Sequence, residues 1–346
     1  MKKPDIAAWA ADGNGRLETG DLRRMTEPGR VVTFIGAGGK TTCMRTLSWA
    51  LASAGYPVIA TTTTKVAPEE GMTGRQGSVP PPVAARLSQT ERRNPYFWYA
   101  ETGEGGKWLG PSRQAVDEAI IGERGGVGFG ETNGSGYSGD NCGDNCIDGN
   151  YQNQIKSNYG NRVDNSFKDE RIDYGIEYKR FWVIEGDGAK RMKLKCWAEY
   201  EPQVPLQTEC CVLVTDGSLW GKTLQREVVH RPENCLDLIG NIWNAENAWS
   251  YFLRSPVFYS EYRRMTWIIL FNAPGLGMAE GEKILTDLWQ GWGKKELCKE
   301  ESYKNELFKG ELCKEKEIQK HENRPEHLRL AAGDAKEGKL QWLGLW

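Results

Sequence analysis

Short apolar runs separated by stretches of helical periodicity recur along the chain. Val31–Gly36 (VVTFIG) is a continuous run rich in β-branched and aromatic side chains, and behind it Met44, Leu47, Leu51 and Ala54 return at helical spacing. Tyr56–Ala60, Phe181–Ile184, Cys210–Val214 and Thr266–Phe271 repeat the strand signal, and Tyr96–Tyr99 is a further short run. Runs this short without polar alternation fit strands covered on both faces. Helical patterns are expected at Ser112–Ile121, Cys235–Phe252 and Ala279–Trp292, with shorter ones around Leu17–Met25 and Val83–Thr90. Strands alternating with helices predict an α/β fold with an open, mostly parallel sheet flanked by helices.

Two stretches break the pattern. Residues 122–170 are dominated by Gly, Asn, Asp, Ser and Tyr, a composition that cannot bury enough apolar surface to offset its ordering entropy. They read as a long disordered insertion. Asp140, Cys142, Asp144, Cys146 and Asp148 alternate within it, but the spacing matches neither a zinc site nor a calcium loop, and a solvated low-complexity loop is the expectation. Residues 293–327 are dense in Lys and Glu, with Glu-Leu-Cys-Lys-Glu at 296–300 and again at 311–315. The expected organisation is an N-terminal leader over 1–30, an α/β domain over 31–292 carrying the insertion, and a C-terminal tail over 293–346, of which Leu328–Ala332 and Leu340–Trp346 pack back on the core.

Composition narrows the function. The chain has 346 residues, 39% hydrophobic residues and 14 Trp, enough for a substantial core. A net charge of −2 lacks the basic excess of a nucleic-acid binder. The apolar part of the N-terminus stops at Asp12, too short for a secretory signal, and no run of about 18 apolar residues appears elsewhere. The expectation is a cytoplasmic protein with no membrane partner, whose nine Cys are free thiols.

The chemistry concentrates after the first strong strand. Gly36, Ala37, Gly38 and Gly39 lead into Lys40, Thr41 and Thr42. Strand, glycine turn, Lys-Thr and helix is the order of a phosphate-binding loop. Glycines let backbone N–H groups curl around phosphate oxygens, and the helix N-terminus adds its positive dipole end. The lysine then reaches the terminal phosphates and a threonine hydroxyl ligates Mg²⁺. The full G-x-x-x-x-G-K-[ST] pattern would require glycine where Phe34 stands, so the loop is the shortened G-x-x-G-K-T-T form. A glycine-rich β–α turn with a chance Lys-Thr is the competing reading. With the strand and helix in register, the loop specifies a P-loop NTPase type of sheet.

Other candidates fall where strands end. Thr61–Thr64 and Lys65 follow the second strand, and Glu185-Gly-Asp187-Gly-Ala-Lys190 follows FWVI. A carboxylate there is placed to hold Mg²⁺ or position the attacking nucleophile. Asn272-Ala-Pro-Gly275 keeps the Asn of a guanine-reading Asn-Lys-x-Asp but neither Lys nor Asp, so ATP is favoured over GTP. Glu199, Glu201 and two prolines mark an extended segment, and His230-Arg231-Pro-Glu a polar turn with a candidate ligand or base. Ligands in open α/β sheets bind outside the carboxyl ends of the strands, so these segments would share one crevice with Lys40.

These motifs resemble the YqeC family: Gly-Ala-Gly-Gly-Lys-Thr at 36–41, Thr-Thr-Thr-Thr-Lys at 61–65, Glu-Gly-Asp-Gly-Ala-Lys at 185–190, Leu194-Lys195 with Glu199, Glu201-Pro202 and Pro205, and His230-Arg-Pro-Glu233. Gly186 stands where alanine is expected, and Asn272–Gly275 departs from the family's Asn-Lys. Proteins of this family are described as selenium cofactor biosynthesis proteins, or accessory proteins of selenium-dependent molybdenum hydroxylases. The resemblance implies an accessory protein associated with a labile selenium species and such a hydroxylase, and the glycine loop adds the expectation of nucleotide binding. In that role Lys40 neutralises phosphates, Thr41, Glu185 and Asp187 hold Mg²⁺ or position water, and Thr63, Thr64, Lys65, Lys190, Glu199, Glu201, His230 and Arg231 face the substrate or partner. The alternatives are an ATP-dependent ligase or kinase on a small-molecule precursor, and a non-catalytic scaffold.

Overall fold

Val31–Gly36 forms the middle strand, β2, of a ten-stranded sheet in a computed structural model that describes residues 17–69, 71–81, 94–124, 180–306 and 324–345, with the backbone alone for 293–306. In chain order the strands are Leu17–Gly20 (β1), β2, Val58–Thr62 (β3), Thr73–Gln76 (β4), Tyr96–Tyr99 (β5), Phe181–Glu185 (β6), Cys210–Asp216 (β7), Thr266–Asn272 (β8), His327–Asp334 (β9) and Lys339–Gly344 (β10). Their order across the sheet is β1-β10-β9-β8-β7-β2-β6-β3-β5-β4. Neighbours from β4 to β9 are all parallel, and β10 runs antiparallel to both β9 and β1. The fold is therefore mixed α/β with a large, mostly parallel sheet flanked by helices.

The strands read as continuous apolar runs because both faces are covered. On β2, Val32 and Phe34 point to one face and Val31 and Ile35 to the other, and β7 alternates likewise. The first face packs against helix α1, Lys40–Ser53, through Cys43, Met44, Leu47 and Leu51. The opposite face takes α2, Arg113–Arg124, through Val116, Ala119 and Ile120. It also takes α3, Ala245–Phe252, and α4, Met278–Glu306, through Trp249, Phe252, Ile284, Leu285 and Leu288.

Several elements differ from the sequence expectation. Leu17–Met25 is a strand followed by a 3-10 helix at Leu22–Thr26, with Asp21 capping that helix. The helix expected over Cys235–Phe252 is two elements, a 3-10 helix at Pro232–Leu238 and then α3, separated where Gly240 takes φ 84°. The sheet runs beyond residue 292, since β9 and β10 lie in it, and α4 continues to Glu306. Cys196 and Cys235 form a disulfide, correcting the expectation of free thiols throughout; Cys43, Cys210 and Cys211 are free and buried. The short helix near Val83–Thr90, most of the insertion and its Asp/Cys run lie outside the described residues.

Strand order reverses next to β2. The chain passes from β2 through α1 to β3 on one side, and only after β6 crosses to β7, β8 and β9 on the other. This switch point opens a crevice beyond the carboxyl ends of the strands. Register places the ends of six strands along that edge: Phe34 beside Glu185, Gly36 beside Val214, Thr62 beside Glu185, Asp216 beside Asn272 and Asn272 beside Gly333.

Candidate functional site

Lys40 occupies the crevice at the start of α1. The glycines before it have positive φ: 93° at Gly36, 85° at Gly38 and 109° at Gly39. A Cβ on Gly36 would stand 2.4 Å from the Val214 carbonyl oxygen, and one on Gly39 would stand 2.5 Å from Asn272 Nδ2. Close approach and left-handed backbone thus both require glycine at these two positions. The first helical bond runs from the Cys43 N–H to the Gly39 carbonyl, 2.9 Å. The N–H groups of Lys40, Thr41 and Thr42 are consequently left at the helix mouth, where no side chain caps them.

Three earlier N–H groups of the loop are engaged within the protein. Gly36 N–H donates to both carboxylate oxygens of Asp187, at 3.2 and 3.0 Å. Ala37 N–H donates to the Val214 carbonyl at 2.9 Å and Gly38 N–H to the Met192 carbonyl at 3.2 Å. The part of this loop open to an anion is therefore its helical end, Lys40–Thr42.

Two carboxylates close on Lys40. Its ammonium donates to the Gly36 carbonyl at 2.7 Å, and lies 3.2 Å from Asp187 Oδ1 and 3.8 Å from Glu185 Oε1. Burial opposes the lysine's charge, but Asp187 and Glu185 together hold its pKa above the ordinary value. Burial also raises the pKa of Glu185, against the pull of Lys40 and of the Thr41 hydroxyl, which donates to Glu185 Oε2 at 2.7 Å.

A second lysine, given no role in the sequence reading, meets Asp187 from the other side. Lys195 is fully buried, 3.2 Å from Asp187 Oδ2 and 3.0 Å from Glu201 Oε1, and it donates to the Gly188 carbonyl at 2.6 Å. Trp197 Nε1 donates to Asp187 Oδ2 at 3.1 Å. Glu201 in turn pairs with Arg231, 3.1 Å from its Nε, and Arg231 donates to the Tyr200 hydroxyl at 2.7 Å. Charges alternate from the crevice outward: Lys40, Asp187, Lys195, Glu201, Arg231. Leu194–Lys195 pairs in parallel with Val229–His230, and the Cys196–Cys235 disulfide joins the same two segments.

The other predicted residues take different places. Thr62 donates to the Glu185 carbonyl and Thr63 to the Gln203 carbonyl, at 3.0 and 2.9 Å, while the Thr64 carbonyl accepts from Gly110 N–H at 2.8 Å. These groups tie β3 to its neighbours. Lys65 is exposed in a short strand against Trp108–Leu109, and Glu199 is exposed on the segment before Glu201. Asn272 reaches the loop, but both ends of its amide are used: Nδ2 donates to the Gly38 carbonyl at 2.8 Å and Oδ1 accepts from Ala335 N–H at 2.9 Å. His230 is half-buried beside Lys195. Among the described residues no three His, Cys, Asp or Glu side chains converge as a metal site, and no helix is long and apolar enough to cross a membrane.

The family model for the YqeC protein matches residues 32–135 and 145–233, over half of the chain. No curated protein and no solved structure matches. The chain belongs to the YqeC family.

Proposed function

We propose that this YqeC-family chain binds a Mg²⁺–nucleoside triphosphate at the carboxyl edge of its sheet, ATP in preference to GTP. In this reading it serves as an accessory protein in selenium cofactor biosynthesis or in maturation of a selenium-dependent molybdenum hydroxylase. The observation that carries the nucleotide reading is one cluster. Lys40 stands at an uncapped helix mouth within reach of two strand-end carboxylates, and the Thr41 hydroxyl is already bonded to Glu185. Family membership supports the selenium role.

The donors suit the ligand. Thr41 and Glu185 offer hard oxygens 2.7 Å apart, which fit Mg²⁺ held by one or two protein groups with phosphate and water completing its shell. When bound, that ion would neutralise charge developing on the phosphates. Lys40 exchanges Asp187 for phosphate oxygens, and Asp187 stays held by the Gly36 N–H, Trp197 and Lys195. The N–H groups of Thr41 and Thr42 point the helix dipole at the same anion. Asp187 or Glu185 then orients a water or an acceptor, while Thr63, Thr64, Lys65, Lys190, Glu199, Glu201, His230 and Arg231 line the substrate or partner side. The basic turn at Lys190–Arg191 favours a second reading, a ligase or kinase with an anionic acceptor.

Titration calorimetry with Mg·ATP and Mg·GTP on the wild type and Lys40→Ala tests the proposal. Binding that is lost in the variant supports it. A well-folded wild type that binds neither nucleotide overturns it and leaves a scaffold. Consumption of ATP only in the presence of an acceptor would favour the ligase or kinase.

A further inference from the structure

Among the described residues three that are not glycine take positive φ, and all three are basic: Lys190 at 47°, Arg191 at 62° and Arg231 at 59°. Left-handed backbone costs such residues free energy that Gly, Asn or Asp would largely avoid. Lys190 and Arg191 are the central pair of a turn closed by the Met192 N–H on the Ala189 carbonyl at 2.9 Å. Positive φ at both is the pattern of a type I′ turn, whose usual occupants are Asn and Gly.

The strained residues lie close together. Lys193 N–H donates to the Val228 carbonyl and Cys196 N–H to the His230 carbonyl, both at 2.9 Å, so the segment after the turn runs beside the segment leading to Arg231. The turn also hangs on the glycine loop, through the Gly38 N–H on the Met192 carbonyl. Lys190 and Arg191 are exposed and make no ion pair among the described residues. His230, half-buried in this group, has its pKa lowered first by burial and then by Lys195, Arg231 and Lys190, with Glu201 opposing. The local field is thus positive. A Cβ added to Gly188 would meet nothing within 4 Å, so the backbone just before the turn borders open space.

We propose that the Ala189–Met192 turn and His230–Arg231 form a second anion-binding subsite beside the glycine loop, suited to the carboxylate or phosphate of a small second substrate. Lys190 and Arg191 supply exposed positive charge, and Arg231, held by Glu201 through Nε and by the Tyr200 hydroxyl through Nη2, offers its remaining guanidinium donors to the anion. The strain is retained because an Asn-Gly turn would carry no charge. The subsite goes beyond the nucleotide reading and does not depend on it.

Inorganic phosphate is the probe, titrated calorimetrically into the full chain, into Lys40→Ala, and into Lys40→Ala that also carries Lys190→Asn and Arg191→Gly. The turn substitutions suit the backbone already present, so the triple variant should melt no lower than Lys40→Ala alone. The expected result is phosphate binding that survives Lys40→Ala and weakens by about tenfold or more in the triple variant. Loss of all phosphate binding in Lys40→Ala overturns the subsite, as does undiminished binding in the triple variant. Mg·ATP binding that ignores Lys40→Ala would sink the nucleotide reading and leave the subsite standing.

Discussion

Asp187 stands between two lysines at the same distance, 3.2 Å, yet the two sides of the site are built differently. The Lys40 side comes from one contiguous piece of chain: strand β2, a glycine turn and the mouth of α1. The Lys195 side is assembled from a two-residue strand, the Glu199–Pro205 segment, a 3-10 helix and a disulfide. Lys40 is the first residue of α1, so the uncapped helix mouth lies beside it. Lys195 is enclosed, with Asp187, Glu201 and the Gly188 carbonyl around it. In the proposed nucleotide reading, Lys40 would exchange partners while Lys195 holds Asp187 in place.

Replacing each lysine in turn separates the two roles. Lys195→Met leaves buried Asp187 and half-buried Glu201 short of their common cation, and removing one member of a buried pair costs about 3–5 kcal/mol. Lys40→Met should cost clearly less, because Glu185 can take up a proton and Asp187 keeps Lys195, Trp197 and the Gly36 N–H. Urea denaturation of both variants measures the difference. Equal losses would mean that Lys40 is as structural as Lys195.

Opening the disulfide tests the Lys195 side alone. Cys196 and Cys235 are 39 residues apart. Closing a loop of that size removes unfolded-state entropy worth about 3–4 kcal/mol in the chain-entropy model. Cys196→Ser with Cys235→Ser should lower stability by about that amount, and reductant should then have no further effect on the melting temperature. The Lys40 side shares no element with this bridge, so any nucleotide affinity at Lys40 should change little.

How much of this was legible in sequence follows the same division. Gly36–Thr42 could be read because strand, turn and helix carry separate local signals in a fixed order. Glu185 and Asp187 could be placed because a carboxylate after FWVI must emerge at the carboxyl edge of a buried strand. Lys195 stood in the Leu194-Lys195 motif without an assigned role and Trp197 carried no signal: their part in the site depends on the fold bringing Asp187 to them. The disulfide was hidden for a related reason. Its cysteines share no short spacing, and only the pairing of Leu194–Lys195 with Val229–His230 brings their segments together. The helix expected through Cys235–Phe252 failed because Pro232 starts a 3-10 helix and Gly240 turns the chain before α3 begins.

A smaller effect belongs to the Lys40 side. Thr41→Val keeps the shape of the side chain and removes the 2.7 Å hydrogen bond to Glu185. A hydrogen bond to a charged group contributes about 1.5–3 kcal/mol, and here the loss falls at the low end because Glu185, with its pKa already raised by burial, can protonate instead. Denaturation at pH 7 should therefore show a loss of roughly 1.5 kcal/mol. Mg·nucleotide binding, if it occurs as proposed, should shift to higher pH, because the metal must compete with a more firmly held proton. A pH profile unchanged from the wild type would separate Thr41 from the metal-binding role.

The smallest effect is on the Lys195 side, and its sign is fixed. Burial, followed by Lys195, Arg231 and Lys190, lowers the pKa of His230 from 6.5. Between the lowered value and 6.5 the unfolded chain binds more protons than the folded one, so stability rises with pH through this window and falls as the solution is acidified below 6.5. His230→Gln should flatten that part of the stability–pH curve and leave the curve above pH 7 unchanged, as measured by denaturation across pH 5–7.5. Phosphate held at the Lys190–Arg191 turn, as proposed, would add negative charge beside the imidazole and raise its pKa. With saturating phosphate the wild-type slope should therefore shrink toward that of the variant, whereas phosphate bound only at Lys40 would leave the His230 contribution as it was. The comparison then rests on a proton: an anion at the outer turn reaches His230 directly, and one at the helix mouth must act through Asp187 and Lys195.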